Sequence, residues 1–236
     1  MFLRKVKEKK GVKTRVQNRN NFSVKAQADG MHLYFYGDIV GTSKEKWSYE
    51  DTAPVDVRDA LAKAGDGTII LHINSGGGDF FAAIAICSML AGKPGKKICY
   101  IEGLAASAAS VIALSCDEVY MPANTMLMIH RSSNDGYGNA EWHLQMAELL
   151  EKVDSQMLDV YTAHSGTERD RLKAMMEAET WLTADEAAGY FSNVSKEDAL
   201  SAVAKVKLPK SAPAVLAQLM EQAEAEKLRL QLELIE

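Results

Sequence analysis

Hydrophobic and polar positions alternate and recur along the chain in a repeating grammar. "MHLYFYGDIV", from Met31 to Val40, is aromatic and β-branched and closes on a Gly-Asp turn signal, which predicts a strand. After a loop through Ser43–Asp51, Pro54 opens "PVDVRDALAKAGDG", where proline in the first turn and glycine past the end bound a helix. The units that follow read strand "TIILHIN", Gly-rich turn, helix "DFFAAIAICSML"; then strand "KKICYIEG", small-residue turn, helix "SAASVIALS"; then short strands "EVYMP" and "TMLMIH". From Asn139 to about His164, Trp142, Met146, Leu149, Val153, Met157 and Val160 recur three or four apart, the stripe of a longer amphipathic helix that Gly166 stops. A shorter helix spans roughly Glu168 to Met176, and "TADEAAGY" opens with a capping box, Thr183 with Glu186. Strands alternating with helices imply an α/β class with right-handed crossovers and a mainly parallel sheet, in which sites gather at the carboxyl ends of strands.

Beyond about Ser195 the pattern changes. "KVKLPKSAP" reads as a linker, and the tail "AVLAQLMEQAEAEKLRLQLELIE" begins with helical spacing but closes with Leu228, Leu230, Leu232 and Leu234 in alternation. A helical tail with an interaction role is expected, because its leucines have no obvious partner within the tail itself. The organisation expected is a basic arm over 1–29, a catalytic-size domain over 30–200, and a linker with interaction tail over 201–236.

Composition narrows the classes. Of 236 residues, 47% are hydrophobic and 25% charged, values that exclude wholesale disorder. The net charge of −5 hides an asymmetry, since the first twenty residues carry eight Lys or Arg and a single acidic residue, Glu8. Such an arm could touch nucleic acid, but no aromatic residues interleave its charges as stacking platforms, so a solvated terminus is expected instead. Cys87, Cys99 and Cys116 lie in apolar runs without metal-ligand spacing, which suits buried thiols in a reducing compartment. The apolar run Leu104–Cys116 is too short to span a bilayer, and Met1–Lys10 lacks the apolar region of a secretory signal. A soluble, cytoplasmic protein is the expectation.

Three stretches could carry chemistry. Gly76, Gly77 and Gly78 lie between a strand and a helix, where a glycine run can cradle phosphate; yet no Lys follows, and Asp79 would repel an anion. The remaining functional use is donation of backbone N–H groups to a developing oxyanion, beside a groove for an extended peptide. Ser107, in "EGLAASAAS", sits where a strand turns into a helix, although alanines stand where an α/β-hydrolase elbow has its glycines. His130 closes the strand "TMLMIH" ahead of the polar loop "RSSNDGYG". Each alone is an ordinary cap, boundary residue or tight turn. Together they are the nucleophile, base and oxyanion donors that acyl transfer requires.

"INSGGG", "GLAASAAS", "MPANTMLMIH" and "ETWLTADEAAGY", in this order and spacing, resemble the Clp-type serine peptidases, and more narrowly the ClpP-like head maturation proteases of tailed bacteriophages, as does "LYFYGDIVG". The resemblance covers about Met31 to Val194. It implies Ser107 as nucleophile, His130 as general base, Gly77 and Ala108 as oxyanion-hole donors, and Gly76 and Gly78 in substrate binding. The third triad position, usually aspartate, falls on Glu179 of "AETW", with Glu177 and Asp185 as less favoured stand-ins. It further implies a crotonase-like fold of repeated ββα units, no metal or cofactor, and a homo-oligomeric ring formed through the Asn139–His164 helix. Substrates would be scaffold and capsid proteins, and the protease's own tails, within procapsids assembling in the host cytoplasm. Rival readings are a housekeeping Clp peptidase fed by an ATP-driven unfoldase, a catalytically idle assembly protein, and an acyl-CoA enzyme of the shared fold.

Overall fold

A computed structural model describes residues 23–27 and 29–197, all but the last of which fall in the first of two compact units, residues 1–196 and 197–236. Most of the basic arm, the proposed linker and the leucine-rich tail lie outside the described residues. The elements are β1 (Val24–Gln27), β2 (Gly30–Phe35), α1 (Pro54–Leu61), β3 (Ile69–Ser75), α2 (Phe80–Ala91), β4 (Lys97–Ala106), α3 (Ala108–Leu114), β5 (Glu118–Pro122), β6 (Met126–Ile129), α4 (Ala140–Ala163), α5 (Arg169–Glu177), β7 (Thr180–Thr183), α6 (Ala184–Tyr190) and β8 (Val194–Glu197).

The sheet is mixed, with helices against it. Its main path runs β1-β2-β3-β4-β5-β8, and β2 to β5 are parallel, as expected of βα alternation. Antiparallel pairing enters with β1 on β2 and β7 on β6. The strand that matters most for the site is β4, which forks. Its first half pairs with β5 (Ile98 to Tyr100 against Glu118 to Tyr120), and its second half with β6 (Leu104 to Ala106 against Met126 to Met128). A register shift between Ile73 and Ser75 lets β3 follow the fork. Gly103 leaves room there for Asn74, whose side-chain oxygen would lie 2.5 Å from a Cβ on it and would have to shift.

Local chemistry explains most boundaries. Pro54 opens α1, the Asp79 carboxylate accepts the Ala82 N–H to cap α2, and Asn139 caps α4 by accepting from Trp142 N–H. The capping box Thr183/Glu186 forms as its residues predict. The strand read over Met31–Val40 ends earlier, at Phe35. Gly37 then turns the chain against Asp51, whose carboxylate accepts from the N–H groups of Asp38, Trp47 and Ser48, and Ile39 keeps only isolated bridges to Thr52 and Gly78. The four-residue strands β1, β7 and β8 are too short to show a period and were not foreseen.

All seven residues of α3 are buried, and with Ile73, Ile86, Ile101, Leu127 and Tyr161 they form the centre of the core. Burying a Leu or Ile side chain contributes about 1.5–3 kcal/mol. The helix that begins at Ser107 is thus anchored on every side.

Candidate active site

The carboxyl end of β4 delivers Ser107 into a turn with φ 54° and ψ −124°, a left-handed conformation that a residue with a Cβ rarely adopts. Holding it costs of order 1–3 kcal/mol, so the surroundings must over-determine it. They do. The Ser107 N–H donates to Met128 C=O (3.0 Å), while its own carbonyl accepts from Ser110 N–H (2.9 Å), Val111 N–H (3.3 Å) and the Ser110 hydroxyl (2.6 Å). The Ser110 hydroxyl in turn pairs with the Tyr161 hydroxyl of α4 at 2.8 Å, in full burial that pushes the phenol well above its ordinary range and keeps it protonated. Tyr161→Phe removes one bond of this brace and leaves Ser110 on the Ser107 carbonyl. A loss of about 1 kcal/mol is expected in urea unfolding.

His130 follows β6, and its Nε2 lies 2.7 Å from Ser107 Oγ. For the hydroxyl to donate, Nε2 must carry the lone pair and Nδ1 the proton. Two residues far apart in sequence and on neighbouring strands meet as the strand-end reading required. The β4–β6 pairing of Ala106 with Met128 fixes that approach.

The glycine turn is more selective than its sequence suggested. Gly77 is buried, with φ 98°, and a Cβ on it would lie 2.6 Å from Ala106 O, 2.8 Å from Ser107 Cβ and 2.9 Å from Ala108 N. Its N–H, expected at the oxyanion hole, donates instead to Ser75 Oγ (3.1 Å). Gly78 replaces it. Ile39 donates to Gly77 C=O and accepts from Asp79 N–H, a parallel bridge that leaves the intervening Gly78 amide directed away from Ile39. Among the described residues neither Gly78 N–H nor Ala108 N–H has an acceptor, and both residues line the same cavity as Ser107 and His130. Gly76 is exposed and does not line it.

Glu179 is not joined to His130. It is exposed, sits at φ 49° in the left-handed position that ends α5, and accepts weakly from Trp181 Nε1 at 3.4 Å. It stands one residue before Thr180, whose β7 partner Ile129 immediately precedes His130. Asp185 is held by Lys196 (2.7 Å), and Glu177 lines a separate charged cleft, so neither stand-in contacts His130.

The cavity of about 310 Å³ is lined by Gly78, Asp79 and Phe81, by Ser132 to Asn134, and by the apolar Met146, Leu149, Val153 and Met157 of α4. Sequence reasoning missed the residues that hold the two turns, Ser75 on Gly77 N–H and Ser110 with Tyr161 behind the Ser107 carbonyl, since each resembles an ordinary small or core residue. Among the described residues no cluster of His, Cys, Asp or Glu could hold a metal ion, and no helix is long and apolar enough to cross a membrane.

The known proteins to which the chain is similar are of one kind. The family profile described as Clp protease matches residues 59–191. ATP-dependent Clp protease proteolytic subunit 3 of Rhodococcus jostii (strain RHA1) is 31% identical over 124 residues, covering 52% of this chain and 61% of the relative. Subunit 1 of Chlamydia abortus is 30% identical over 127 residues, covering 52% and 66%, and subunit 4 of R. jostii is 32% identical over 132 residues, covering 55% and 68%. The chain thus spans about three fifths to two thirds of these relatives.

Proposed function

The chain belongs to the Clp protease family, and from that membership we propose that it is a serine endopeptidase in which Ser107 is the nucleophile and His130 the general base. The 2.7 Å contact between Ser107 Oγ and His130 Nε2, beside two open amides, is the observation that carries this reading. His130 takes the hydroxyl proton as Oγ attacks a peptide carbonyl, and the N–H groups of Gly78 and Ala108 receive the oxyanion. Protonated His130 then gives its proton to the leaving amine, and water hydrolyses the acyl-enzyme by the same route in reverse. These steps draw only on groups of the chain itself.

Glu179 is the acid assigned to orient the imidazole through Nδ1, a role that requires its side chain to leave Trp181. Glu179→Gln should then lower kcat about tenfold with little change in KM, because the lost interaction matters chiefly for the imidazolium of the transition state. Equal kcat for Gln and Glu over the full pH profile would remove Glu179 from the mechanism.

The narrower assignment is a head maturation protease of the phage type, a homo-oligomeric ring built through α4 on the repeated ββα plan of the crotonase-like folds. It would act on scaffold protein, capsid-protein extensions and its own tails inside procapsids in the host cytoplasm. Support comes from the "LYFYGDIVG" and "ETWLTADEAAGY" motifs and from a domain expected over 30–200 between a basic arm and a leucine-rich tail. Incubating wild type and Ser107→Ala with candidate scaffold and capsid proteins, and reading products by mass spectrometry, tests it: discrete cleavages by the wild type alone are expected. The names of the relatives favour a second reading, a proteolytic subunit working with an ATP-driven unfoldase. Degradation of a folded reporter only when unfoldase and ATP are added would establish that reading instead.

A further inference from the structure

Directly after His130 the chain enters a stretch, residues 130–139, that forms neither helix nor strand, and Ser132, Ser133 and Asn134 of this stretch line the cavity. A wall of that kind needs an anchor, and α4 supplies one. Asp154 Oδ1 accepts from Ser132 N–H (2.6 Å) and Ser132 Oγ–H (2.7 Å), and Oδ2 accepts from Arg131 Nε–H (2.6 Å). The Ser132 hydroxyl also reaches Leu150 C=O at 3.1 Å, one helical turn earlier. The Asp154 side chain is only 14% exposed, so its grip is little weakened by competing water.

The consequence concerns what is left over. With Ser132 N–H committed to α4, the main-chain N–H groups of Ser133 and Asn134 have no acceptor among the described residues, and both residues line the cavity that Gly78 and Asp79 also line. Main-chain groups fixed in this way are what an extended peptide pairs with when it adds as a strand. Asp154 neighbours Val153, which lines the cavity, but it is not itself among the lining residues. Its influence on substrate passes through Arg131 and Ser132.

We propose that Asp154 is a positioning residue for polypeptide substrate: its carboxylate, by holding Arg131 and Ser132 on α4, fixes the Ser132–Asn134 wall on which an extended peptide docks. This rests on the peptidase reading above and adds a residue to it. The nucleophile and base are held independently of the clamp, by the Ser107 N–H bond to Met128 and by the β6 pairings. Loss of Asp154 therefore falls on binding along the groove more than on the reacting pair.

The test compares full-length wild type, Asp154→Asn and Asp154→Ala on three probes: a small fluorophosphonate that labels Ser107, a fluorogenic acyl-dipeptide amide, and an internally quenched decapeptide. For Asp154→Ala the expected result is a KM at least tenfold higher on the decapeptide, a change below threefold on the dipeptide, and labelling slowed by less than threefold. Asp154→Asn keeps an acceptor oxygen for Ser132 and should fall between, and it gives the reading if the alanine variant does not fold. A decapeptide-to-dipeptide ratio equal to wild type in the folded variant overturns the inference, as does a loss shared equally by all three probes. A wild type that takes no label overturns the peptidase reading itself, and this inference with it.

Discussion

Ser107→Ala is expected to reduce peptide cleavage by about 10⁴–10⁶-fold and to abolish the fluorophosphonate adduct, since removing a nucleophile leaves only the contribution of binding and oxyanion donors. Stability should barely move. Among the described residues the only hydrogen bond of the Ser107 side chain is to His130, and alanine inherits the same left-handed backbone without relieving it. The N–H of residue 107 keeps Met128, and its carbonyl keeps Ser110 and Val111. Unfolding in urea within about 0.5 kcal/mol of wild type, alongside lost turnover, would separate a chemical role from a structural one. Retained turnover would refute the assignment outright.

Gly77→Ala is the second large effect, and it acts by shape. The added methyl would meet Ala106 O, Ser107 Cβ and Ala108 N at 2.6 to 2.9 Å, against backbone that cannot swing aside, at a φ of 98°. The turn must move away from Ser107, and displacement of about 1 Å at a reacting group costs on the order of 10²-fold in rate. We expect turnover to fall by 10²–10³-fold and stability by about 1–3 kcal/mol from strain. Gly76→Ala is the matching control, because a Cβ there meets nothing within 4 Å. Equal activity for the two variants, measured by active-site titration and unfolding, would mean that the Gly77 packing is immaterial.

What the sequence conveyed and what it withheld divide along physical lines. Ser107 and His130 were legible because each stands at the end of a strongly patterned strand, and strand ends in parallel sheets converge. Which of Gly77 and Gly78 keeps an open N–H was not, because it depends on the Ser75 hydroxyl, which accepts from Gly77 N–H while donating to Gly37 C=O 38 positions away, and on the bridge between Ile39 and Gly78, 39 positions apart. The direction of the Glu179 side chain was hidden for a similar reason. Its left-handed φ serves the ending of α5, and its carboxylate accepts from Trp181 two residues on, neither of which the spacing of the motif reveals. Asp154 read as one more charge on the wet side of an amphipathic helix, since periodicity cannot tell solvent from a neighbouring segment.

The hydrogen bond from Ser107 N–H to Met128 C=O has a bearing on heat tolerance. It splices the residue bearing the hydroxyl to β6, which ends one position before the imidazole, so slow breathing of the sheet carries both together. Gentle warming should therefore blunt the capture of long polypeptides, which needs the outlying wall, before it dulls reactivity toward a compact inhibitor.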